Sequence, residues 1–144
     1  MRLAPPAEIA RSTERIRMRP STTSASEFLN VDLDLTAQSG LDDLVRFLEP
    51  RAFVLNRADG FVSLELNGTD RLSLEQTILR FIELVRSMPQ RERNLWDDCD
   101  HRTMNIAIQV GLQPQQAYFA LSANAVSLLA DAQCEIVVTV YAPS

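Results

Sequence analysis

The stretch from Arg102 to Tyr141 limits the fold more than any other part of the chain. Met104, Ile106, Ile108 and Val110 alternate with Thr103, Asn105, Ala107 and Gln109. A period of two predicts a strand with one buried face. A turn around Gly111 to Gln115 follows, then Ala117–Leu121, which reads as a second strand. Ser122 opens a short helical run, and CEIVVTVY over 134–141 closes the block as a third strand. Strand, strand, helix, strand is a sheet with at least one helix laid on it. Met104, Ile106, Ile108, Val110, Ile136, Val138 and Val140 are expected to form its inner face.

Upstream, Leu29, Val31, Leu33 and Leu35 alternate with Asn30, Asp32 and Asp34, which predicts a strand with one wet face. Ser39 is placed to cap a helix whose inner stripe is Leu41, Leu44, Val45 and Leu48, with Asp42 and Asp43 in its first turn. Pro50 ends it. Ala52–Asn56 and Phe61–Leu66 flank an Asp-Gly pair, a hairpin signal. Ser73 and Gln76 have the spacing of a capping box. Leu74, Ile78, Ile82, Val85 and Met88 follow at helical spacing. Pro89 breaks that helix and starts another over roughly Gln90 to Asp98. The expected order is β-α-β-β-α-α-β-β-α-β. Short hairpins and few crossovers predict an α+β fold, a mostly antiparallel sheet of about six strands with helices packed on one face.

With 144 residues the chain is long enough for one domain with a sizeable core. Its net charge of −5 is unevenly spread. Residues 1–26 hold five Arg against two Glu, a net +3, and the remainder holds nine Arg against 17 carboxylates, a net −8. Residues 1–26 read as a flexible or disordered arm that can also fold back onto the acidic body of its own chain or of a neighbour. Residues 27–144 read as a single domain. An acidic body speaks against a nucleic-acid partner. No apolar run is long enough to span a bilayer, and the N-terminus lacks a signal-type apolar segment, so a soluble cytoplasmic protein is expected. All 14 basic residues are Arg, which excludes lysine Schiff-base and P-loop chemistry.

Two sets of residues stand out. The first is the side of each strand turned away from the helices. It collects Asn30, Asp32, Asp34, Ser63, Glu65, Asn105, Ala107, Gln109, Tyr118, Val137, Thr139 and Tyr141. Tyrosines beside carboxylates and amides on rigid strands suit a binding surface, with Asp32, Asp34, Glu65, Gln109, Tyr118 and Tyr141 as the contact set. The same face also suits a half-wet sheet, a homodimer seam or a dock for the arm. The second set is the run Trp96 to His101, in which Asp97, Asp98, Asp100 and His101 are candidate metal ligands. Consecutive helical residues point in different directions, so a solvated helix end with Trp96 as core anchor is the simpler reading. Cys99 and His101 are the only thiol–imidazole pair close in sequence, and no nucleophile elbow or metal-protease motif is present. No catalytic residue and no cofactor is assigned.

Residues 27–143 resemble an uncharacterised bacterial domain family. The resemblance is carried by FLNVDLDL (28–35), FVSLELNG (61–68), FIELVRSMPQRERNLWDDC (81–99), NIAIQVG (105–111) and the closing block LSANAVSLLADAQCEIVVTVY (121–141). Some proteins of that general kind resemble toxin-neutralising immunity proteins. The resemblance implies an α+β fold and a binding role rather than a catalytic one. The leading expectation is a non-enzymatic protein-interaction module, of immunity type. A small metal-binding protein or metal-dependent hydrolase, and a sheet that binds a small molecule, are the alternatives.

Overall fold

The computed structural model describes residues 25–112 and 116–143. Chain order is β1 (Glu27–Thr36), α1 (Leu41–Leu48), β2 (Ala52–Ala58), β3 (Phe61–Leu66), α2 (Leu74–Arg86), α3 (Gln90–Asp97), β4 (His101–Gln109), α4 (Ala123–Asp131) and β5 (Glu135–Tyr141). The strands make one sheet in the order β2-β3-β1-β4-β5. β2–β3, β3–β1 and β1–β4 pair antiparallel, and β4–β5 pair parallel. Among the described residues the fold is α+β, a five-stranded mixed sheet with four helices. Among the described residues no helix is long and apolar enough to cross a membrane.

Local chemistry accounts for the elements. The capping box is formed: Gln76 N–H donates to Ser73 Oγ at 3.1 Å, and Ser73 N–H donates to Gln76 Oε1 at 2.9 Å. It sets the start of α2, which buries Leu74, Ile78, Phe81, Ile82, Leu84 and Val85. Ala125 N–H donates to Ser122 Oγ at 3.1 Å and starts α4. The hairpin turns at Asp59-Gly60, with Gly60 at a φ of 72°. One core joins Val31, Leu33, Leu35, Val62, Leu64, Met104 and Ile106 of the strands to Leu44, Ile78, Phe81, Trp96 and Leu129 of the four helices. The helices therefore cover one side of the sheet.

Several expectations are corrected. Among the described residues the sheet has five strands rather than six, because residues 116–122 form no strand. Both edges of β4 are already taken, by β1 and by β5, so the segment after β4 has no ladder beside it. The sheet is mixed because α4 carries the chain back over the sheet, and that crossover returns β5 parallel to β4. Gly40, not Ser39, is the N-cap of α1, at a φ of 87° that favours glycine. A Cβ there would also sit 2.8 Å from Leu95 Cδ2. The β1–β4 register shifts between Phe28 and Asn30, so Phe28 rather than Leu29 packs against the main core.

The largest correction concerns β5. Ile136, Val138 and Val140 stand in register with Met104, Ile106 and Ile108 of the core side, yet they are 42%, 55% and 57% exposed. β5 ends the sheet, and α4 buries only Ala125 and Leu129, so the apolar column of β5 lies beyond the helical cover. The arm expected over residues 1–26 lies outside the described residues as far as Ser24, and most of the expected turn at 111–115 does so at 113–115. Ser26 is placed, and its Oγ accepts from Gly111 N–H at 2.9 Å.

Candidate functional site

The side of the sheet away from the helices brings most of the predicted contact set together. Asp32 stands opposite Glu65 on β3 and opposite Asn105 on β4. Asp34 stands opposite Ser63 and Thr103, and Gln109 opposite Tyr141. Asn30 Nδ2 donates to Asp32 Oδ1 at 2.6 Å and to Glu65 Oε1 at 2.8 Å, tying two carboxylates to one amide. Thr139 Oγ1 donates to Asn105 Oδ1 at 2.8 Å. Gln109 Nε2 donates to the carbonyl of Ala142 at 2.9 Å. Tyr118 does not join them, because it lies in the irregular segment before α4 with 85% of its surface exposed.

The carboxylates on this face are not at an open surface. Asp32, Asp34 and Glu65 are only 4%, 3% and 3% exposed. The half-wet sheet expected from alternation is thus a buried polar layer at its centre. Alternation along a strand separates two faces, but it cannot report what lies over either one.

The acidic run after α3 has a structural role that spacing alone did not reveal. Trp96 is fully buried, and its Nε1 donates to the carbonyl of Ala132 at 2.9 Å. Arg102, buried at the start of β4, closes the end of α3. Its Nη1 donates to the carbonyls of Trp96 at 2.9 Å and Cys99 at 2.7 Å, and its Nε donates to that of Gln133 at 3.0 Å. A cation on carbonyls that a helix terminus leaves unsatisfied is favourable twice, as hydrogen-bond donor and as countercharge to the helix dipole. Arg102 is the residue that sequence reading missed. Its position on the strand's apolar side was the available signal, since an arginine there needs several acceptors.

The candidate ligands spread apart. Asp97 pairs with Arg93 at 3.3 Å, and His101 Nδ1 meets Glu135 Oε1 at 2.8 Å. Asp98 and Asp100 are exposed. Among the described residues no three His, Cys, Asp or Glu side chains are arranged to hold a metal ion. Cys99 does not engage His101; its Sγ lies 3.4 Å from the carbonyl of Leu95. A cleft of about 370 Å³ lined by Arg51, Asn67, Arg80 and Glu83 lies beside β3 and α2, away from the polar face of the sheet.

Both thiols are held in their neutral form. Burial pushes Cys99 up from 9.0 to about 11, against the opposing pull of Arg102. Burial likewise pushes Cys134 up to about 12. The thiolate population of native Cys99 is then about a hundredfold lower than in an unfolded chain, so its alkylation at pH 8 is expected to slow by about that factor. A group whose folded pKa is raised binds its proton more tightly when folded. The resulting stability is present in full below 9.0 and is lost as pH rises through about 11 for Cys99 and about 12 for Cys134. Urea unfolding at a series of pH values checks this, and a midpoint that holds steady above pH 9 would contradict it.

No family model, no curated protein and no solved structure matches this chain.

Proposed function

We propose that this chain is a non-catalytic protein-binding module that docks its partner along β5. One observation carries the reading. The exposed large hydrophobics among the described residues are Leu112, Tyr118, Phe119, Val126, Ile136, Val138 and Val140, and all of them fall in one stretch of the chain. From Thr103 onward the chain has no basic residue, and Asp131 and Glu135 are its only charges. Apolar area depleted of charge is the composition of an interface centre.

The strand itself favours the same reading. β5 ends the sheet and carries no Pro, Lys or bulge to blunt its outer edge. The opposite edge, β2, has both a register shift and Arg57. Natural sheets protect their edges unless an edge is used. A partner strand laid along β5 would extend the sheet and seat its own side chains on Ile136, Val138 and Val140. Exposed Asp131 and Glu135 lie at the end of α4 and the start of β5, which suits a partner with a basic rim. An immunity-type inhibitor of a basic protein is the most specific form of this reading, and it draws on the acidic body and the resemblance.

Val138→Asp tests it. A charge in the middle of an exposed column is expected to leave folding nearly intact, moving Tm by less than about 4 °C. Capture of the partner by the immobilised chain should fall at least about tenfold, the effect of ~1.4 kcal/mol at an interface centre. Equal capture by both chains would sink the proposal.

A further inference from the structure

We propose that the cleft between the base of the β2–β3 hairpin and α2 binds a small organic monocarboxylate. Its head would sit on Arg51 and Arg80, and its apolar tail on Leu66 and Leu84. The cleft holds about 370 Å³, within the range of about 300–1,000 Å³ common for small-molecule sites. It lies toward the β2 edge, the far side of the sheet from β5, so it does not depend on a partner docking there.

The first observation is how the walls are fixed. Arg51 and Asn67 stand one step beyond the Ala52–Leu66 pair of the β2–β3 ladder. Asn67 N–H donates to the Arg51 carbonyl at 2.9 Å, and Arg51 N–H donates to that of Leu48 at 2.9 Å, which ties this end of the ladder to α1. Residues opposed across a ladder project to the same face, so the guanidinium and the amide share one wall. The other wall is α2. Arg80, Glu83 and Leu84 are spaced there at i, i+3 and i+4, and so they line one side of the helix.

The second observation is charge. From residue 27 onward the chain has nine Arg. Arg46, Arg57, Arg91 and Arg93 pair with Asp side chains, and Arg102 holds carbonyls. Arg51 and Arg80 are exposed, and their guanidiniums have no hydrogen bond or ion pair among the described residues. Arg71 and Arg86 share that condition, but neither lines this cleft. In a body with 17 carboxylates, two free guanidiniums on one cleft do not reflect a shortage of anions. Each guanidinium is a planar fork of N–H donors that matches the two oxygens of a carboxylate, and the Asn67 amide adds a further donor.

Glu83 sets the charge of the ligand. It lines the same cleft and pairs with neither guanidinium among the described residues. Two guanidiniums and one carboxylate give the lining a net +1, which a monocarboxylate neutralises and a phosphate dianion exceeds. The chain's net charge of −5 opposes anions at long range, but physiological salt screens charges beyond about 8 Å, so the local pair of Arg dominates.

The third observation is the floor. Leu66 and Leu84 are 3% and 6% exposed and line the cleft beneath the charged rim. A hydrocarbon tail laid on them leaves water while the head stays at the rim with the guanidiniums.

Titration of the isotope-labelled full chain with sodium hexanoate, followed by NMR, tests the proposal. The Nε–H signals of Arg51 and Arg80 and the side-chain amide of Asn67 should shift together and saturate, with a dissociation constant on the order of 1 mM. Acetate lacks the tail and should bind at least about tenfold more weakly. Hexylammonium carries the opposite charge and should leave these signals in place. Arg51→Gln combined with Arg80→Gln should weaken hexanoate binding at least about tenfold, and because both positions are exposed the fold should be kept. Glu83→Gln leaves both guanidiniums in place and should tighten binding about twofold to threefold by removing a like charge. Shifts that stay linear in hexanoate concentration overturn the proposal, and so does an affinity unchanged by the double substitution. Acetate, inorganic phosphate or hexylammonium binding as tightly as hexanoate overturns the assignment of a monocarboxylate with an apolar tail, as does weaker binding by the Glu83→Gln chain.

Discussion

Trp96→Ala is expected to lower the unfolding free energy by about 3–5 kcal/mol, the range for removing a large aromatic from a core. Trp96 is 0% exposed and is the largest fully buried side chain of the domain. Its position joins three parts of the fold. It ends α3, it packs in the same core as Leu44 of α1 and Leu129 of α4, and its indole N–H holds the carbonyl of Ala132 just beyond α4. Loss of the ring opens a cavity at that junction and leaves the Ala132 carbonyl without its donor. Trp96→Phe separates the two contributions, because it restores most of the volume and none of the hydrogen bond. That variant is expected to lose about 1–2 kcal/mol. Urea unfolding followed by far-UV circular dichroism measures both, since loss of the only tryptophan removes the fluorescence probe. A Trp96→Ala chain within about 1 kcal/mol of wild type would show that the junction is not a packed core.

The second large effect is expected at Arg102. Arg102→Met keeps much of the apolar stem and removes the guanidinium. The carbonyls of Trp96, Cys99 and Gln133 then lose a charged donor at one stroke. Hydrogen bonds to charged groups are each worth about 1.5–3 kcal/mol, and the bonds share one group, so a total loss of about 3–4 kcal/mol is expected. Arg102→Lys is not expected to recover it, because one ammonium cannot follow the fork that reaches α3 and the Gln133 turn together. Thermal unfolding of both variants checks this. Full rescue by Lys would mean that charge, and not the fork, does the holding.

These two residues also show where a linear reading succeeds and where it stops. Trp96 was legible as a core anchor, because a lone indole at the end of a polar helix has few other uses. The neighbouring Asp97, Asp98, Asp100 and His101 invite a ligand reading, but they lie on a helix end, a turn and a strand start, and their side chains diverge. Arg102 was passed over because its partners at Gln133 are 31 positions away. The strand at 117–121 was expected from apolar spacing, which says that a segment can pair and not whether an edge is available to pair with.

Asp32, Asp34, Glu65, Gln109 and Tyr141 lie on one side of the sheet, since strand period and face are local properties. Their burial was not legible, because it depends on what lies over the face. The reverse holds for Ile136, Val138 and Val140. Their pattern is that of a core strand, and only the position of β5 at the end of the sheet leaves them exposed.

The order of residues alone determined the strands with a period of two, the helices with their caps at Ser73 and Ser122, and the hairpin at Asp59-Gly60. Each of these is decided within a few residues by backbone sterics, capping hydrogen bonds and side-chain alternation. The tertiary structure alone decided that β5 returns parallel and forms an edge, that Arg102 closes α3, and that the carboxylates of β1 and β3 are buried. Those outcomes rest on pairing, cover and burial between segments far apart in the chain, where the free energy of a contact depends on everything else that meets it.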